Sequence, residues 1–123
     1  MSKAQRDILR LEHQQVRDFN QKKLASLLTP FGPGFVGFSS TRHKRIAGRA
    51  ALRKTFQHYL RQAPRVRYSI AQPRVQVFGP AAVASFYWTV ALGRRKVRGR
   101  GSHVFVRRGR SWRILHEHFS RAH

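Results

Sequence analysis

Five segments between Arg65 and Ser120 alternate between apolar and polar residues: "RVRYSI", "RVQVF", "AVASFYWTVAL", "KVRGRGSHVFVRR" and "SWRILHEHFS", with turns containing Gly or Pro between them. A period of two sends successive side chains to opposite faces, so this half of the chain is restricted to antiparallel strands with one face covered and the other open. The first half has a different period. From Ala4 to Leu28 the residues Ile8, Leu9, Leu11, Val16, Phe19, Leu24, Leu27 and Leu28 recur at helical spacing, with a polar interruption over 20–23, which predicts a long helix and a short one. Pro30, Gly32, Pro33 and Gly34 end the helicity, and "FVGFSS" and "RHKRI" read as two short strands or a strand and a turn. Gly48 precedes "RAALRKTFQHYLRQ", a further helix with a stripe of Ala51, Leu52, Phe56 and Leu60 that ends before Pro64. Helices packed on one face of a curved, mainly antiparallel sheet make an α+β architecture. No repeat or linker interrupts residues 1–123, and 123 residues suit one domain that buries roughly two thirds of its unfolded surface.

Turn chemistry supplies a trial register. With Arg94-Arg95 and Gly109-Arg110 as loop centres, Phe86 lies opposite His103, and His103 opposite His116. One face then collects Phe86, Trp88, His103, Phe105, Trp112, Ile114, His116 and His118. The other collects Tyr87, Arg98, Arg100, Arg113, Leu115, Glu117 and Phe119. The first is the better core face. A slip of one residue in the last strand would turn Glu117 inward instead.

Charge sets this chain apart from an ordinary sheet protein. Lys+Arg 26 against Asp+Glu 4 gives a net +22, and the cations are spread from Lys3 to Arg121, interrupted only over 24–41 and 75–93. Positions where helices commonly carry acids hold Gln or Lys, as in "LEHQQVRDFNQKK". This pattern reads as carboxylate removal across a whole surface, as in engineered supercharging. The alternative is a natural nucleic-acid-binding protein, which usually gathers its cations on one face or in a tail. In either case the chain attracts polyanions and repels its own copies. Arg94, Arg95, Lys96, Arg98, Arg100, Arg107, Arg108 and Arg110 are the expected phosphate contacts, without base reading. With 41% hydrophobic residues the chain is not a disordered polycation. It has no cysteine, which excludes disulfides and thiolate chemistry. The start, "MSKAQRDILRLEH", holds no signal-peptide run, and no segment approaches the ~20 apolar residues of a membrane span, so a cytoplasmic location is expected.

The two helices, "FVGFSS", the Gly-led helix "GRAALRKTFQHYL", the long strand "AVASFYWTVAL" and the ending "GRSWRILHEHFS" together resemble the SnoaL-like members of the nuclear transport factor 2-like superfamily over nearly the whole chain. The ending is also similar to the association domain of calcium/calmodulin-dependent kinase II. The resemblance implies a conical fold with a pocket between the long helix and the concave sheet, commonly dimeric through the outer sheet face. Its members include isomerases, cyclases, dehydratases and binding or scaffold proteins, so fold alone does not fix function.

On this frame Tyr59, Phe86, Trp88, His103, His116 and His118 are the candidate pocket residues, suited to a small, partly apolar ligand. Three histidines on neighbouring strands invite a metal reading, but no carboxylate completes the set, and neither a metal nor another cofactor is expected. The family's enzymes, as the resemblance implies, use a pocket Asp or an Asp/His pair to move a proton near a substrate carbonyl. This chain offers only Asp7, Glu12, Asp18 and Glu117. Asp7 and Glu12 read as exposed helix residues, Asp18 as a cap for the short helix, and Glu117 as a structural ion pair with Arg100, or a pocket acid if the register slips. Isomerase, cyclase or lyase chemistry by a His/Glu pair is therefore the third alternative. Trp88 and Trp112 are expected to pack beneath the helices; base stacking would require them to be exposed beside arginines.

Overall fold

The structure, a computed structural model, describes residues 1–62 and 65–122. Helix α1 (Lys3–Asn20) starts at Ser2, whose hydroxyl accepts from the Gln5 amide while Gln5 Oε1 accepts from the Ser2 N–H, so two otherwise unpaired donors are satisfied reciprocally. Its buried stripe holds Ile8, Glu12 and Gln15. A left-handed residue, Lys22, breaks the helix at the polar interruption, and α2 (Leu24–Leu28) follows. Asp18 ties the two together: its carboxylate accepts from Ser26 Oγ at 2.7 Å and from Gln14 Nε2 at 2.8 Å. It therefore braces α2 through a side chain inside that helix, whereas the Lys23 cap position has no side-chain bond.

Strand β1 (Phe31–Phe38), β2 (Ile46–Ala47), α3 (Arg49–Arg61), β3 (Val66–Phe78), β4 (Ala81–Leu92), β5 (Arg95–Arg108) and β6 (Ser111–Arg121) complete the chain. The expected end of α3 before Pro64 agrees with its last residue, Arg61; Pro64 itself lies outside the described residues. The strands form a six-stranded sheet in the order β2-β1-β6-β5-β4-β3, antiparallel except where β1 runs parallel to β6. The helices cover one face, where Ile8, Phe31, Phe35, Leu52, Phe105 and Ile114 are no more than 1% exposed. Each contributes about 1.5–3 kcal/mol by leaving water.

Three departures from the trial register decide the site. The β4–β5 turn is centred on Gly93-Arg94, with Gly93 at φ +62°, because a two-residue hairpin loop needs its first residue in the left-handed region and arginine resists it. Phe86 therefore faces Gly101, and His103 faces Ala84, not Phe86. That shift is of two residues, so both keep their faces. The second departure changes faces: β5 and β6 pair Phe105 with Ile114 but Val104 with His116, so Leu115 is an extra residue. Beyond it Glu117 and Phe119 turn to the helix-covered side, and His116 and His118 turn away. The third joins "RVRYSI" and "RVQVF" into one strand, β3, with an irregularity between Ala71 and Arg74 and Gln72 in a left-handed conformation.

Candidate functional site

A cavity of about 540 Å³ opens between the helices and the sheet. Phe19 of α1, Leu52 and Phe56 of α3, Val66 and Tyr68 of β3, Trp88 and Val90 of β4, and Phe119 of β6 give it apolar walls. The helical residues lie on apolar stripes, the residues of β3 and β4 alternate inward, and Phe119 is turned inward by the Leu115 insertion. Gln15, Thr55, His103 and Glu117 bring polar groups to it, and Ser39, Thr41, Arg42, Tyr59, Arg95 and Arg121 also line it.

Across the core side of the sheet lies a chain of three ionisable groups. His103 Nδ1 lies 2.7 Å from Glu12 Oε2, and its Nε2 lies 2.8 Å from Glu117 Oε1. Both carboxylates can only accept while ionised, so both ring nitrogens donate and His103 is an imidazolium. Burial alone would depress its pKa, but the negative charge of Glu12 and the hydrogen bonds to Glu117 and Glu12 outweigh this and raise it from 6.5 to about 10. The same burial, together with the charges of Glu12 and Glu117, pushes the Tyr68 hydroxyl well above its ordinary range. Glu117 lines the cavity with Oε1 bonded to His103, and its second oxygen has no hydrogen-bond partner among the described residues.

Trp88, His103 and Tyr59, among the residues expected at the pocket, do line it; Tyr59 Oη lies 2.6 Å from Thr41 Oγ1, and Trp88 donates to the Arg100 carbonyl at 3.0 Å. Phe86 is buried against His103 and Phe119, at ring separations of 5.5 and 5.7 Å, as part of the sheet's packing. His116 and His118 are corrected to the outer face, beside Phe38, because the Leu115 insertion reverses the alternation. The same insertion separates them from His103, so the three histidines do not converge. Glu117 pairs with His103, and not with Arg100, which is exposed between Tyr87 and Ser120.

Glu12 is not an exposed helix residue: it is 2% exposed, four residues after Ile8 on the buried stripe. That position in the stripe was the available signal. Asp7 is the surface acid, bonded to Lys3 at 2.7 Å and near Arg10, and these cations hold its carboxyl below the usual range. Trp112 is buried in the core. Arg94, Arg95, Lys96, Arg98, Arg100, Arg107, Arg108 and Arg110 are all exposed, and Arg95 stands at the cavity mouth. Among the described residues no helix is long and apolar enough to cross a membrane.

A helix-covered curved sheet enclosing such a cavity is the nuclear transport factor 2-like architecture. Within it, the chain belongs to the SnoaL-like domain family, whose model matches residues 8–123. A nuclear transport factor 2-like protein of unknown function from Pseudomonas putida superposes with a TM-score of 0.89 at 20% identity, over 98% of this chain and 88% of that one. A Xanthomonas campestris protein provisionally named as a calcium/calmodulin-dependent protein kinase II association domain gives 0.83 at 18% identity, over 95% and 86%. One from Streptomyces avermitilis, provisionally named as a dehydratase, gives 0.84 at 11% identity, over 95% of each chain. At these identities the likeness is one of fold. Among curated proteins none matches the chain.

Proposed function

We propose that this chain is a binding domain that takes a small, partly apolar molecule into its cavity and engages polyanions with its exterior. The cavity carries the first part: about 540 Å³ walled by Phe19, Leu52, Phe56, Trp88 and Phe119, with a few fixed polar groups, is the composition of a small-molecule site. A neutral apolar fluorophore, N-phenyl-1-naphthylamine, tests it. Its emission should rise on binding, and Thr55→Trp, which fills the cavity from α3, should abolish the rise. No rise with the parent chain, or an equal rise with the variant, would refute the reading.

The polyanion part rests on where the acids lie. Glu12, Asp18 and Glu117 are buried, and the fourth, Asp7, is already paired with Lys3. The exterior therefore meets a phosphate or sulfate with almost no opposing charge. The retained acids are mostly those with internal partners, which favours a surface stripped of acids by design over a natural nucleic-acid reader. Proton transfer is the other use of the same cavity. In that reading Glu117, bonded to His103 through one oxygen, would serve as the base for isomerase, cyclase or lyase chemistry next to a substrate carbonyl.

A further inference from the structure

We infer that the uncovered face of β3, β4 and β5 binds single-stranded nucleic acid by stacking an unpaired base on Tyr87 between Arg74 and Arg100. The inference rests on the polyanion reading above and gives it a place and a strand type. Tyr87 is 53% exposed, an unusual state for an aromatic in the middle of a central strand. On that face small residues flank it on three sides, Ala71 across in β3 and Ser85 and Thr89 along β4, and Arg100 stands across from it in β5. The irregularity in β3 opens a shallow groove of about 550 Å³ beside it, lined by Gln72, Pro73, Arg74, Ser85, Tyr87 and Arg100. The groove thus has an aromatic ring and a guanidinium at either side.

The charge around it is of one sign. Lys96, Arg98 and Arg100 are exposed at alternate positions of β5, about 6.8 Å apart along the strand, with Arg67 and Arg74 exposed on β3. The Leu115 insertion has turned Glu117 away from this face, Glu12 and Asp18 are buried, and Asp7 belongs to a helix across the sheet. A second copy presenting the same cations is a poor occupant, and a duplex, whose bases are already stacked, cannot use the ring. A single strand satisfies both features: its phosphates meet the row of cations, and a base covers the ring.

Fluorescence anisotropy at about 150 mM salt tests this with a labelled oligo-dT 12-mer, the same oligomer with abasic sites, a duplex of equal length, heparin and polyglutamate. The parent chain should prefer the intact oligomer to the abasic one. Y87A should weaken the intact oligomer roughly 5- to 150-fold, the range for losing one stacked base, and leave heparin and abasic binding unchanged. Y87F should retain the parent affinity, and the exposed position lets each variant fold. Equal parent affinity for intact and abasic oligomers, or Y87A without effect, overturns the inference while heparin binding leaves the polyanion reading intact. Loss of polyglutamate binding in Y87A would assign the face to an acidic protein and overturn it as well. Failure to bind heparin at all would overturn the polyanion reading itself.

Discussion

His103 and Glu117 face each other across β5 and β6 because Leu115 is an extra residue in β6. Without it, His116 would occupy the position opposite His103. The insertion faces a second irregularity, where β1 passes from Phe31 to Val36 while β6 advances only from Ile114 to His116. Leu115 there packs over Gly32, whose missing side chain leaves the room: a Cβ at Gly32 would come within 2.8 Å of Leu115 Cδ2. Two local distortions therefore place one carboxylate against one imidazolium and at the cavity.

The raised pKa of His103 makes stability depend on pH with a definite sign. The folded state holds the His103 proton up to about pH 10, whereas the unfolded chain releases it near 6.5. The stabilisation is fully present below 6.5 and is lost as pH rises toward 10. Urea denaturation between pH 6 and 10 should show a decline on the order of a few kcal/mol that His103→Gln flattens. A flat profile for the parent chain would refute the imidazolium assignment.

Removing one end of the ionic chain should cost more than removing all of it. Glu12→Ala leaves a buried cation with one partner and should destabilise by about 3–5 kcal/mol. The combined replacement Glu12→Leu, His103→Phe, Glu117→Leu leaves no unpaired charge and should recover much of that loss while removing the polar groups from the cavity. Denaturation midpoints of the two proteins check the order, and a triple variant less stable than the single one would contradict it.

Gly99 and Gly101 alternate on the inward face of β5, with aromatic rings in the space where side chains would lie. A Cβ at Gly99 would meet the Ser120 carbonyl oxygen and lie 2.5 Å from the Trp88 ring; at Gly101 it would lie 2.8 Å from Phe86. The Ser120 backbone cannot yield as a side chain can. Gly99→Ala should therefore cost at least about 3 kcal/mol, and Gly101→Ala about 1–3. Thermal melts of the two variants should rank in that order.

The pattern of elements could be read in the sequence because it depends on period, and period survives local error. A two-residue mistake at Gly93 left Trp88 and His103 on their true face. A one-residue insertion does not cancel in this way, and β6 carries its trace: Trp112 and Ile114 keep one phase and Phe119 the other, with Ile114 and Leu115 adjacent at the switch. Glu12 was hidden for another reason. On a helix with so much charge a carboxylate reads as solvent-exposed, and only its partner 91 residues later, His103, explains its burial.

If copies of the chain associate through the outer sheet face, as the resemblance implies, they must bring Arg98, Arg100 and Arg74 close to their counterparts. Phe119, expected on that outer face, is on the cavity side and contributes nothing to it. Any dimer should therefore strengthen as salt screens the repulsion, from about 10 Å of screening length at 0.1 M to about 3 Å at 1 M. Sedimentation velocity across that range checks it; a dimer strongest at low salt would place the contact elsewhere.

The exterior charge makes the last prediction, which separates a polycation from a reader of sequence. Arg94, Arg95, Lys96, Arg98, Arg107, Arg108 and Arg110 are exposed along β5 and at the turns that flank it. Binding to duplex DNA should then be governed by counterion release. If about six to eight phosphates are neutralised, log K falls against log salt with a slope near −5 to −7, by the rule of about −0.9 per phosphate. Heparin should show a comparably steep dependence. A natural sequence reader would instead keep a preference of at least ~10³ for a cognate sequence over competitor at physiological salt. Filter binding of scrambled oligonucleotides and of oligonucleotides selected for affinity, across one salt series, distinguishes the two. Parallel lines for all sequences support a folded polycation, whereas a selected sequence that stays bound as the others dissociate would require a base-reading surface that the exposed arginines do not supply.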